Sequence, residues 1–222
     1  MTTRVYLVRH GATPLAAEDR FAGSTDVELS DEGHRQAERL AERLASEPVA
    51  AIYASPMKRT VATAAHVAKP HGIEAMTDGD LREIDHGRWE GLTRAEVEER
   101  FPDEYAAWDR DPFTFAPDGG EPGVHVMARA LPAVRRIVAA NVGRPIVIVS
   151  HKATIRLVLC ALLGIDARGY RDRLDQHPAC LNALDFKDPV RVRLVTFNDC
   201  SHYTRAPMAT GASLSKWWSE PR

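Results

Sequence analysis

Val5-Tyr6-Leu7-Val8-Arg9-His10-Gly11 is the stretch on which the reading of this chain turns. Four consecutive apolar residues are the pattern of a strand buried on both faces, as in a parallel sheet. Arg9 and His10 then stand at its carboxyl end, where an open α/β sheet builds its binding crevice. Imidazole can attack phosphorus, and a guanidinium matches phosphate oxygens bidentately. A second apolar run, Ile146-Val147-Ile148-Val149-Ser150, delivers His151 from a second strand end. The repetition predicts a two-histidine phosphate site.

Outward from these two strands, local signals give a series of alternating elements. Ser30 caps a helix whose first turn carries Asp31 and Glu32, with Ala37, Leu40, Ala41 and Leu44 at helical spacing. Val49 to Tyr53 reads as another buried strand, and Ser55-Pro56 as the start of a helix carrying Arg59 in its first turn. The stretch from about Met76 to Gly123 is irregular, rich in Gly, Pro, Asp and aromatics. Within it Thr93-Arg94-Ala95-Glu96 has the form of a capping box, opening a short helix that ends before Pro102. A further helix runs to about Asn141, with Pro132 expected to kink or restart it. Another spans Thr154–Leu163 and stops at Gly164. Two late strands, near Leu181–Phe186 and Arg191–Phe197, are joined by Lys187-Asp188-Pro189 as an edge hairpin. The expected fold is an α/β three-layer sandwich: a mostly parallel central sheet, helices on both faces, and a small helical and loop cap over the strand carboxyl ends.

The 222 residues are enough for one large α/β domain or two small ones. A net charge of −2 argues against a nucleic-acid partner, whose binding needs a strong basic excess. The longest apolar runs fall short of the ~20 residues of a membrane span. Three cysteines, Cys160, Cys180 and Cys200, have no metal-type spacing and read as reduced, which fits a cytoplasmic protein with no signal region. None of the nine histidines is paired with an acid at helix-ligand spacing, so no metal is expected.

Arg9, His10, Arg59 and His151 converge on one rim of the sheet, where a dianionic phosphoryl group would also meet a helix N-terminus. Glu83, in Leu81-Arg82-Glu83-Ile84-Asp85-His86-Gly87-Arg88-Trp89-Glu90-Gly91, is a candidate acid that would protonate a leaving oxygen from the cap. Asp85 and Glu90 are alternative acids, in which case Glu83 would pair with Arg82 or Arg88.

With these residues assembled, the chain resembles the histidine phosphatase superfamily, the phosphoglycerate mutase-like proteins. The likeness runs from Val5 to about His202 and rests on several motifs together. They are Leu7-Val8-Arg9-His10-Gly11, Leu29-Ser30-Asp31-Glu32-Gly33, Ser55-Pro56-Met57-Lys58-Arg59-Thr60, Glu83 with Gly87-Arg88-Trp89-Glu90-Gly91, and Ser150-His151. The resemblance implies that His10 is phosphorylated during turnover and that Arg9, Arg59 and His151 hold the phosphate. It also implies that Glu83 serves as proton donor and then as base for water, with no metal or organic cofactor. Residues 1–205 would form one such domain, with the cap inserted at about 76–123 and a tail at 206–222 that Trp217-Trp218 could dock.

Three departures stand out: Ala12 and Ala16 where relatives often carry polar residues, and Lys152 where a glycine commonly follows the second histidine. Candidate substrate contacts are Thr13, Gly23, Ser24, His86 and Lys152, the lysine favouring a substrate with a second negative group. The Leu81–Gly91 segment resembles the phosphatase branch and lacks the Glu-Arg-His-Tyr-Gly motif of the mutases. The expected activity is therefore hydrolysis of a small phosphomonoester metabolite, with a phosphoglycerate mutase or a non-catalytic phosphate-binding scaffold as alternatives. A homodimer is compatible with the sequence, although no segment identifies its interface.

Overall fold

The computed structural model describes residues 1–204; the 206–222 tail, including Trp217-Trp218, lies outside the described residues. Its six strands are β1 (Thr3–Arg9), β2 (Ala51–Ala54), β3 (Ala75–Thr77), β4 (Ile146–Ser150), β5 (Leu181–Phe186) and β6 (Val192–Asp199). They form one sheet in the order β3-β2-β4-β1-β5-β6. The first four are mutually parallel, while β5 and β6 add an antiparallel edge. The helices are α1 (Pro14–Ala17), α2 (Asp31–Leu44), α3 (Lys58–Ala68), α4 (Arg94–Arg100), α5 (Pro102–Arg110), α6 (Gly123–Ala140), α7 (Lys152–Leu163) and α8 (Tyr170–Arg173).

The two-residue period of the strands divides the core into two layers. Val5, Leu7, Ile146 and Ile148 face one way and pack with Val134, Ile137, Ile155 and Leu159 of α6 and α7. Tyr6, Val8, Val147 and Val149 face the other way, against Leu40, Leu44, Ala64 and Val67 of α2 and α3. The expected three layers follow directly. Adjacent strands β1 and β4 therefore send the chain to opposite faces, and this switch point opens a crevice at their carboxyl ends.

Local signals account for most boundaries, and the exceptions have physical causes. The hydroxyl of Ser30 accepts from Gly33 N as the cap of α2, and the Thr93–Glu96 capping box forms. Ser55-Pro56 does not start α3, which begins at Lys58 behind Met57. The free N–H of Lys58 donates instead to Asp26 Oδ1 at 2.8 Å, leaving the Ser55 hydroxyl for another use. Pro132 does not restart α6, which runs unbroken from Gly123 to Ala140 with the proline inside it. Pro132 and Ala128 are both exposed, so water can satisfy the carbonyl that loses its donor. Helix α7 starts at Lys152, two residues earlier than its apolar spacing suggests, and ends at left-handed Gly164. Helix α5 gives no strong apolar period, but Pro102 at its first position is a start signal.

Between β3 and α6 the chain leaves the layers and builds a separate aromatic cluster. Phe21, Trp89, Val97, Tyr105 and Trp108 form its buried centre. The ring centroids of Phe21 lie 5.4 Å from those of Trp89 and 5.6 Å from those of Trp108.

Candidate active site

Sheet register sets the two histidines side by side. Arg9 of β1 pairs with Ser150 of β4, and His10 N donates to Ser150 O at 3.1 Å. The next residue on each strand is a histidine, and the ring centroids lie 5.2 Å apart at 60°. The turn after His10 tolerates no side chain, since a Cβ on Gly11 would lie 2.4 Å from the carbonyl oxygen of Gly33. His10 is buried, and its Nδ1 sits 2.7 Å from Gly11 O, which can only accept. Nδ1 therefore carries the proton and Nε2 keeps its lone pair. Burial, reinforced by Arg9 and Arg59, pushes the pKa of His10 well below the usual imidazole value.

His151 takes the opposite tautomer. Arg59 Nε donates to its Nδ1 at 3.2 Å, so the proton resides on Nε2 and is donated to Ser55 Oγ at 2.8 Å. That is the use found for Ser55 in place of helix capping. Burial and then Arg59 and His10 push the pKa of His151 well down. Both imidazoles are thus neutral.

Arg59, in the first turn of α3, is 1% exposed and engaged on three sides. Besides His151, it donates from Nη1 to Thr25 O and from Nη2 to Gly23 O, each at 2.8 Å. Arg59 thereby ties the loop after Phe21 to the sheet. Arg9 donates from Nη1 to Gln176 O at 2.7 Å, while its buried Nε has no protein partner.

Of the three acids in the Leu81–Gly91 segment, Glu83 alone lines the same cavity as His10. It sits at the N-terminus of α7, where the helix dipole favours an anion. Oε1 accepts from Ile84 N and Thr154 N at 3.0 and 3.1 Å and lies 3.0 Å from the Thr154 hydroxyl, whose single proton has a shorter path to Arg82 O at 2.8 Å. Oε2 accepts only from Ala153 N, at 3.2 Å, and so has the freer lone pair. Glu83 pairs with neither Arg82 nor Arg88. Arg88 pairs instead with Glu104, which also accepts from Trp89 Nε1 at 3.0 Å. Glu90 is consumed by structure: its Oε1 accepts from Ser24 N and Oγ at 2.5 and 2.8 Å, and its Oε2 from the Thr25 hydroxyl. Asp85 accepts from Gly87 N at 2.7 Å and faces a neighbouring cavity.

With this geometry in view, comparison with known proteins decides the family. Residues 5–200 match the model of the histidine phosphatase superfamily (branch 1). The chain belongs to that superfamily. Phosphoserine phosphatase 1 of Hydrogenobacter thermophilus is 34% identical over 163 residues, covering 73% of this chain and 77% of the relative. Glucosyl-3-phosphoglycerate phosphatase of Mycolicibacterium vanbaalenii is 38% identical over 169 residues, 73% and 75% of the two chains. Among solved structures, YhfR of Bacillus stearothermophilus superposes with a TM-score of 0.84 at 31% identity, covering 90% of this chain and 98% of that one. This histidine phosphatase is accordingly a phosphoric monoester hydrolase, of a superfamily whose typical mechanism passes through phosphohistidine.

Most of the residues singled out from sequence share a single cavity of this phosphatase. Arg9, His10, Thr13, Gly23, Arg59, Glu83, His86 and Lys152 all line it. His151 stands directly behind, fully buried. Ser24 does not line it; with both donors on Glu90, it borders the adjoining cavity. Lys152 forms no salt bridge, and burial, with Arg156 and Arg9 nearby, lowers its pKa to about 7. Phe21, Trp108, Tyr170 and Arg156 also line the cavity and escaped the sequence reading. Arg156 was discoverable, because it lies one helical turn beyond Lys152. Phe21 arrives from a distant irregular segment and Trp108 from the short helix α5, and neither stretch carries a signal that points to this cavity. Among the described residues, no group of three or more His, Cys, Asp or Glu is placed to hold a metal, and no helix is long and apolar enough to cross a membrane.

Proposed function

We propose that the protein hydrolyses a small phosphomonoester metabolite with His10 Nε2 as the nucleophile. The observation that carries this reading is the state of His10: neutral, with Nδ1–H fixed on Gly11 O and Nε2 free in a cavity shared with Arg9, Arg59 and Glu83. Attack of Nε2 on phosphorus forms the N–P bond as the P–O bond to the alcohol breaks, and Glu83 gives its proton to the leaving oxygen. In the second half, Glu83 takes a proton from water, whose oxygen attacks phosphorus. The N–P bond breaks, releasing inorganic phosphate and neutral His10. Oε2 of Glu83 is the atom assigned to carry that proton, since Oε1 accepts from two backbone N–H groups and Oε2 from one.

Transferring phosphoryl groups spread negative charge over three equatorial oxygens, which fixed cations stabilise. Arg9 has its buried Nε unpartnered for this purpose, and Arg59 is held rigidly by two carbonyls and His151. In this reading residues 1–205 act as one domain with a cap inserted at about 76–123. A cytoplasmic location goes with it, supported by Cys160, Cys180 and Cys200 being free and buried.

The test is phosphate release from a panel of phosphorylated metabolites in excess chelator. Wild type is expected to turn over, and His10→Ala to lose at least ~10⁴-fold in kcat/KM. Activity retained in His10→Ala would overturn the assignment of the nucleophile.

A further inference from the structure

The cavity holds more positive charge than one phosphoryl group needs, and the surplus is concentrated on α7. Six cationic side chains line it: Arg9, Arg20, Arg59, Lys152, Arg156 and Arg171. Two are neutralised within the protein. Arg20 pairs with Glu18 and Glu96, and Arg171 pairs with Asp172 and Asp109 while lying over Trp108. Arg9 and Arg59 match a phosphoryl dianion. Lys152 and Arg156 remain, one helical turn apart on the same face of α7.

Neither is fully satisfied by the fold. Lys152 makes no ion pair. Arg156 is 4% exposed, yet its buried Nε has no hydrogen-bond partner, an arrangement that costs free energy unless a ligand completes it. Arg156 has one salt-bridge partner, Asp175, whose Oδ1 accepts from its Nη2 at 3.2 Å. That carboxylate is shared with Gln176 N at 2.7 Å and with His177 Nε2 at 3.4 Å, and is 45% exposed to solvent. The ammonium of Lys152 and the Nε–H of Arg156 therefore stand without protein partners beside the phosphate end, within a cavity of about 110 Å³ walled by Phe21, Trp108 and Tyr170.

Resting on the hydrolase reading, we propose that Lys152 and Arg156 form a second anion subsite that selects small phosphomonoesters carrying a carboxylate. Two unpartnered donors, Lys152 Nζ and Arg156 Nε, and little free volume favour a carboxylate over a second phosphate. The same α7 start that presents Lys152 also holds Glu83 through Ala153 N and Thr154 N, so the subsite adjoins the acid that would serve the leaving oxygen.

The experiment compares matched substrates that differ only at this group: O-phosphoserine with O-phosphoethanolamine, and 3-phosphoglycerate with glycerol 3-phosphate. The full-length protein is expected to prefer the carboxylated member of each pair by about 10-fold or more in kcat/KM, the scale of one charge-assisted hydrogen bond. Lys152→Met is expected to collapse that ratio, Arg156→Gln to reduce it, and Lys152→Arg to retain most of it. The proposal is overturned if wild type shows no preference, or if Lys152→Met lowers both members of a pair equally. A stronger preference for propane-1,3-diol bisphosphate over its monophosphate than for either carboxylate overturns the choice of carboxylate. If nothing is hydrolysed, the hydrolase reading falls by itself, and calorimetry still decides the subsite. O-phosphoserine must then bind at least ~10-fold more tightly than O-phosphoethanolamine, with the difference lost in Lys152→Met.

Discussion

The two walls of the cavity are built by different physics. On the sheet side, His10 and His151 are placed by backbone register, and one ladder of parallel hydrogen bonds fixes both at once. On the opposite side, Phe21 and His86 come from segments without regular structure, and Trp108 from the short helix α5. Those segments are held by an aromatic cluster and by side chains that accept from backbone N–H groups. Arg59 and Glu90 stitch the two walls together through the 23–25 loop, one grasping its carbonyls and the other its donors. The lesson is a division of labour: strand register places the two histidines, and packing of the aromatic cluster closes the cavity opposite them.

Breaking the irregular wall tests that division with the largest effect. Trp89 is fully buried and touches Phe21, Trp108 and Phe115. Trp89→Ala should cost about 3–5 kcal/mol, read by urea unfolding. If the walls are separable, proteolysis should nick the 85–118 region before the sheet core. Simultaneous loss of all protection would show that they fold as one unit.

Cutting the stitch gives a smaller effect on stability but a sharp one on rate. Arg59→Ala should lower kcat/KM by ~10²–10³-fold through lost phosphoryl stabilisation. Arg59→Lys should recover little, because one ammonium cannot reach Thr25 O, Gly23 O and His151 together. Substantial rescue by lysine would mean that charge alone matters.

A pH dependence of stability probes the sheet wall most gently. His10 and His151 have folded pKa values well below the ordinary 6.5, first by burial and then by the neighbouring guanidiniums. Below pH 6.5 the unfolded chain therefore binds protons that the folded chain refuses, so stability rises with pH up to about 6.5 and is lost as pH falls. Each such group contributes at most about 1.4 kcal/mol per pH unit. Buried His86 adds the same sign from the irregular wall. Urea midpoints at pH 7.5, 6.5 and 5.5 should fall in that order, with the steeper loss between 6.5 and 5.5; a flat profile would contradict neutral buried imidazoles.

How much of this was legible in the sequence follows the same division. Strand runs such as Ile146–Ser150 and caps such as Ser30 and Thr93 declare themselves locally, and they sufficed for the layers, the crevice, Arg9, His10, Arg59 and His151. Glu83 could be named, but its attachment to α7 could not, because it depends on two segments about 70 positions apart. Ser55 misled for a related reason: a capping residue by local rule, it instead accepts from His151 across the sheet. Phe21, Trp108 and the unsatisfied Nε of Arg156 emerge only from tertiary packing.

The most direct test of the central claim is to trap the phosphoenzyme. Rapid quench into base after mixing with a ³²P-labelled substrate should leave one acid-labile, base-stable phosphate per chain, mapped by peptide sequencing to His10 and absent from His10→Ala. Label on another residue, or single-turnover hydrolysis with no labelled protein at any time, would contradict the account.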